Sequence, residues 1–177
     1  GFDVRLSGTS RGYEETAGSA VVVITAGVPR KPGMTREQLI EVNAGILRQV
    51  VEQVTPRSPD AVFIVLTNPL DAMTYLAYKV SGLPRQRVLG QSGALDTTRF
   101  RTFLALELGV SVRDVDALVI GAHTDRDMVP LASLATVRGI PVARLLPEAR
   151  LQAVVARTRR GGAEITELMK QSGFTAA

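Results

Sequence analysis

Residues 19–27 read SAVVVITAG and residues 60–69 read DAVFIVLTNP. Each is a continuous apolar run, rich in β-branched residues and closed by glycine or proline, as expected of strands buried on both faces of a parallel sheet. Parallel neighbours need a crossover, and the segment between them supplies one. Thr35 is placed as an N-cap with Gln38 three residues on, and Leu39, Ile40, Val42, Ile46, Leu47, Val50, Val51 and Val54 follow at helical spacing before Pro56. The pattern predicts a strand–helix–strand unit.

Working outward, the sequence predicts a helix over about 70–80 and a short strand at 87–90. A helix over LDTTRFRTFLALELG (95–109) and a strand over DVDALVIG (114–121) follow. DMVPLASLATVRGIPV (127–142) reads as a hairpin or a pair of short strands. A long helix from about 147 to 170 contains Gly161 and Gly162, which are expected to weaken or break it. The fold class is α/β, with a mainly parallel sheet first and a more mixed second half.

Composition narrows the chemistry. With 177 residues, 45% of them hydrophobic and 21% charged, the chain is long enough for a real core and is neither disordered nor fibrous. The lack of cysteine removes disulfides, thiolate metal sites and thiol nucleophiles, and fits a reducing, cytoplasmic compartment. No metal site is expected. The longest apolar runs are far short of the roughly 18–20 residues that span a bilayer, so no membrane partner is expected. A net charge of +4 is spread along the chain, and its one dense cluster, RTRR at 157–160, has few aromatics nearby. It reads as a solvated helix face, with no nucleic-acid partner expected.

Ligands of open parallel sheets lie beyond the carboxyl ends of the strands, which directs attention to TAG (25–27), TNPLD (67–71) and the residues after Gly121. Ala26 and Gly27 leave room for a phosphate or nucleotide at the backbone, and Asn68 offers a donor and an acceptor. The loop GVPRKPGMTR carries Arg30, Lys31 and Arg36, so it is either an exposed basic loop or a cover for an anionic substrate. IGAHTDRDMVP (120–130) holds the only histidine, His123. A lone histidine at a strand end is by itself more often structural than catalytic.

VVVITAGVPRKPGMTREQLIEVNAGI, TNPLDAMTYLAYKVSG, LDTTRFRTFLALELGVS and GAH…DMVPL, in this order and spacing, resemble the lactate/malate dehydrogenase family, and within it the malate dehydrogenases of the lactate-dehydrogenase-like type. The resemblance covers nearly the whole chain. It implies a partial Rossmann-type sheet, the second part of an NAD-binding domain, over residues 1–91. The first part of an α+β catalytic domain would occupy residues 92–177. The implied activity is NAD-dependent, reversible oxidation of a small dicarboxylate, (S)-malate to oxaloacetate. A lactate-type 2-hydroxy acid dehydrogenase and a non-catalytic fragment are the alternatives.

The resemblance also implies roles. His123 exchanges the substrate hydroxyl proton, Asp96 holds its other ring nitrogen, and Arg99 clamps the carboxylate beside the reacting carbon. Arg36 polarises the substrate oxygen and Asn68 helps to place it. Arg30 stands at the specificity position, where arginine pairs the distal carboxylate and lactate enzymes carry glutamine. Thr25, Ala26, Gly27 and Asn43 would lie along the dinucleotide, with Thr67 near the nicotinamide. The complete enzyme would be a homo-oligomer, a dimer or tetramer.

Two departures from the family pattern carry expectations of their own. HTDRDMVP has Thr124 where the family has glycine and is one residue longer, which predicts a displaced loop at His123. The family's glycine-rich phosphate loop and ribose-reading acidic residue precede the point where this chain starts, and further elements follow where it stops. The chain is therefore expected to be the middle of a subunit that, taken alone, associates through an open strand edge, binds NADH weakly and shows no activity.

Arg30 generates a test. Replacing it with glutamine removes the partner of a desolvated carboxylate and should cost on the order of 2–5 kcal/mol for oxaloacetate while favouring pyruvate relatively. The ratio of kcat/KM for the two substrates checks it, and an unchanged ratio would place Arg30 away from substrate.

Overall fold

The computed structural model describes residues 3–29 and 33–169. Arg30 and Lys31 lie outside the described residues, and so does the side chain of Arg36. Contacts divide the chain into two units, one formed by Gly1–Val28 and Gly33–Gly90, the other chiefly by Gln91–Ala177.

The first unit is a three-stranded parallel sheet of order β1-β2-β3, with β1 at Val21–Ile24, β2 at Val62–Val65 and β3 at Val88–Gly90. Helices α1 (Arg36–Val54) and α2 (Leu70–Ser81) are its crossovers. The predicted capping box forms at the start of α1. Thr35 Oγ1 accepts from the Gln38 amide at 3.2 Å and Gln38 Oε1 accepts from the Thr35 amide at 2.9 Å, satisfying two backbone donors that helix geometry leaves unpaired. Leu47, Val51 and Val54 share one face of α1 and meet Phe63 and Val65 of β2 and Met73 and Ala77 of α2 in one buried cluster.

The strands are not buried on both faces as the sequence predicted. Val21 and Val23 are 52% and 57% exposed, and Leu89 on β3 is exposed with them. The reason is that α1 and α2 contribute to the same core cluster, which takes Ile24, Phe63, Val65 and Val88 from the opposite face. Alternation in β1 follows from covering one side of the sheet only.

The second unit packs α3 (Gly93–Leu108) and α4 (Glu148–Met169) against short antiparallel strands. The predicted strand at 114–121 is two pieces in two sheets, β4 (Val115–Asp116) and β5 (Val119–Gly121). β5 pairs with β6 (Met128–Pro130), while β4 pairs with β7 (Thr136–Val137), which in turn pairs with β8 (Ile140–Pro141). The chain thus switches sheets at Ala117–Leu118, a change that hydrophobicity alone does not encode. Phe100 and Leu104 of α3, Val115, Val119, and Leu151, Val154 and Val155 of α4 form the core.

α4 runs unbroken through Gly161 and Gly162, against the expectation of a break. Each glycine costs about 1 kcal/mol relative to alanine in a helix interior. Two ion pairs span the weak point, Arg157 with Glu164 at 2.7 Å and Arg160 with Glu167 at 3.4 Å. The Arg157 hydrogen bond holds the Glu164 carboxyl below its ordinary range. The RTRR cluster is more than a solvated face, because Arg157 also lies over the Phe103 ring and Arg159 donates to the Met128 carbonyl at 3.1 Å, fastening α4 to β6. Among the described residues no helix is long and apolar enough to cross a membrane.

Leu47 is fully buried where α1, β2 and α2 meet. Leu47→Ala should destabilise the first unit by about 2–5 kcal/mol through lost transfer energy and the cavity left behind. Denaturant titration measures the loss, and a change below about 1 kcal/mol would mean that this cluster is not the unit's core.

Candidate functional site

Two groups of polar residues stand out, one in each unit. In the second unit Asp96 sits in the first turn of α3 with 3% of its side chain exposed. Its Oδ2 is 2.7 Å from His123 Nδ1 and its Oδ1 accepts from Arg99 Nη1 at 3.2 Å. Both carboxylate oxygens are therefore engaged, and the N-terminal turn of the helix adds a favourable dipole. Helical spacing explains the Arg99 contact, since residues three apart share a face. Neither the separation of 27 residues between Asp96 and His123 nor composition explains the other contact; the fold makes it.

Three features bring His123 there. Thr97 Oγ1 accepts from the Val119 amide at 3.0 Å and so fastens β5 to α3 beside Asp96. Gly121, two residues before His123, has φ +90°, and a Cβ there would lie 2.3 Å from the Asp127 carbonyl oxygen. Only glycine fits that close approach. The turn that follows closes on itself. Thr124 Oγ1 donates to Asp127 Oδ2 and accepts from the Asp127 amide, each at 3.0 Å, and the Met128 amide returns to the Thr124 carbonyl at 3.0 Å. Arg126 in this turn lies in solvent, and His123 stands against Asp96. Residue type alone marks neither Thr97 nor the steric demand on Gly121; a glycine directly ending an apolar strand before a histidine is the one sequence signal for the latter.

In the first unit the carboxyl ends of β1 and β2 are joined by buried polar side chains. Thr67 donates to the Ala26 carbonyl at 2.8 Å. Asn43, 1% exposed, accepts from the Val28 amide at 2.8 Å and donates to the carbonyls of Val28 at 3.2 Å and Asn68 at 2.7 Å. Thr67 and Asn43 thereby spend their polar groups on the backbone of the two strand-end loops. Gly27 is pressed between them, since a Cβ there would be 2.8 Å from Thr67 Cγ2. Thr25, Gly27 and the side chain of Asn68, whose bond to Pro69 is cis, face solvent.

The pinned backbone at residues 25–27, exposed at Thr25 and Gly27, suits the flank of a dinucleotide, and the Asp96–His123–Arg99 cluster suits proton exchange beside a bound carboxylate. Arg30 lies outside the described residues, and Arg36 opens α1 with its side chain likewise outside them.

The family model for the lactate/malate dehydrogenase NAD binding domain matches residues 2–90, and that for the alpha/beta C-terminal domain of the same enzymes matches residues 93–177. The malate dehydrogenase of Symbiobacterium thermophilum is 59% identical over 172 residues, which are 97% of this chain and 54% of that protein. A solved malate dehydrogenase from Aeropyrum pernix superposes with a TM-score of 0.90 at 43% identity, covering 98% of this chain and 56% of that one. The Cryptosporidium parvum lactate dehydrogenase, solved with lactic acid and nicotinamide adenine dinucleotide, gives 0.86 at 40% identity, covering 94% and 54%. The chain spans about half the length of the curated relatives it matches.

Gly121→Ala tests how the His123 turn is held. The added Cβ collides with backbone that cannot swing aside, and its φ is strained, so a loss well above about 1 kcal/mol is expected. Thermal unfolding measures the loss, and imidazole NMR should show the His123–Asp96 hydrogen bond weakened. An unchanged spectrum and melting temperature would contradict the steric argument.

Proposed function

The chain belongs to the lactate/malate dehydrogenase family, and on that premise we propose that it serves the reversible, NAD-dependent oxidation of (S)-malate to oxaloacetate. The observation that carries the proposal is the Asp96–His123 contact at 2.7 Å, with Arg99 on the same carboxylate. NAD, when bound, supplies the hydride acceptor and, in its reduced form, the donor. The backbone of Thr25, Ala26 and Gly27, exposed at Thr25 and Gly27 and fixed by Asn43 and Thr67, would hold part of it.

His123 acts as the proton-transfer group. Its Nδ1 is taken up by Asp96, so the proton of the malate hydroxyl passes to Nε2 as the C2–H bond gives up its hydride, and returns from there in the reverse direction. Asp96 orients the ring and balances the charge that His123 acquires. Arg99 has Asp96 as its ion-pair partner among the described residues, and it presents its fork to the carboxylate beside C2. Asn68 hydrogen-bonds the substrate, Arg36 polarises the reacting oxygen and Arg30 pairs the distal carboxylate, which selects a dicarboxylate over lactate or pyruvate. A dimer or tetramer is the working form proposed, and Leu106, exposed on α3, is available to a partner.

His123→Asn in the active enzyme should leave NADH affinity within about twofold while lowering turnover by roughly 10²-fold or more, because general base catalysis is lost. Steady-state turnover of oxaloacetate followed by nicotinamide absorbance, together with fluorescence titration of NADH, checks it. Near-normal turnover would remove His123 from the chemistry.

A further inference from the structure

Gly161 and Gly162 weaken a 22-residue helix at its middle, and helix formation gives no reason for them. Their surroundings do. Gly161 is buried, and a Cβ built on it would lie 3.0 Å from Arg99 Cδ, 3.4 Å from Nε and 3.8 Å from Phe103 Cε2. At Gly162 the nearest such atom is Arg99 Nη1 at 4.0 Å. The stem of Arg99 thus rests on bare α4 backbone while its head meets Asp96.

We propose that Gly161 is a positioning residue for substrate carboxylate binding: its missing side chain is the seat in which Arg99 lies, and it sets where the guanidinium points. The proposal rests on the reading of Arg99 as the carboxylate clamp. A contact of 3.0 Å is tighter than carbon packing allows, so a methyl at residue 161 makes the Arg99 stem give by a few tenths of an ångström at Cδ, a shift that grows along the side chain toward the guanidinium. Retreat is restricted. The 3.2 Å contact with Asp96 blocks the head, and Phe100, the next residue of α3, is fully buried and anchors the backbone. The displacement therefore passes into the orientation of the fork, whose two-pronged hydrogen bonding tolerates only about 0.5 Å.

A purely structural glycine and a seat for Arg99 predict opposite results, because alanine is the better helix former. In the active enzyme, Gly161→Ala should raise KM for oxaloacetate about 10-fold, with a smaller change in kcat, unchanged NADH affinity and a melting temperature equal or higher. An unchanged KM at equal or higher melting temperature overturns the proposal. Arg99→Ala is the reference: if it leaves KM unchanged, the clamp reading fails, whereas a raised KM there with none in Gly161→Ala sinks the seat alone. Should Gly161→Ala melt early, the double variant Gly161→Ala/Arg99→Ala decides. Because losing the Asp96 partner is itself destabilising, the reference is Arg99→Ala. The proposal requires the double variant to melt no lower than Arg99→Ala alone, with KM no higher than in Arg99→Ala, and a double variant that melts below Arg99→Ala overturns it.

Discussion

A carboxyl group with 3% of its side chain exposed needs a partner on each oxygen, and Asp96 has one on each. That requirement organises the second unit. Removing either partner from a buried, hydrogen-bonded charge pair costs several kcal/mol, so Arg99 and His123 are held by the same group they serve. Thr97, one residue along α3, fixes β5; β5 delivers Gly121; and the turn after Gly121 sets His123. The antiparallel strands and α4 are the scaffold that keeps this short chain of contacts in register.

The first unit solves a different problem. Its sheet is built from local patterns that any β-branched run would support, whereas the geometry at its carboxyl end is set by two buried polar side chains. The division of labour is physical. Apolar burial fixes where the strands lie, and directional hydrogen bonds fix the backbone that a ligand would meet.

Much of this was legible in the sequence, for identifiable reasons. The capping box at Thr35 and Gln38, the periodicity of α1 and the apolar runs of β1 and β2 are local codes, and the corresponding elements formed where they predict. What failed depended on distant neighbours. The exposure of Val21 and Val23 follows from which face α1 and α2 choose, and the split of residues 114–121 follows from two different partner strands. The glycine pair read as a helix break, because propensity counts the cost of Gly161 and cannot see the Arg99 stem lying over it. At the site, residue types and order pointed to His123, Asp96 and Arg99, but the contact across 27 residues and the self-closing HTDRD turn exist only in three dimensions.

Asn43 carries one more implication. The shape of the loop at residues 25–28 is stored in residues of other elements, Asn43 on α1 and Thr67 beyond β2, which grip its main chain and none of its side chains. Mutational drift along the loop can therefore proceed at Thr25 and Val28 with its conformation preserved. The reverse holds inside: exchanging the Asn43 amide for a carboxylate would leave the Asn68 carbonyl without its donor and face it with a second acceptor. Heritable change at this rim is cheap on the surface and expensive one layer beneath it.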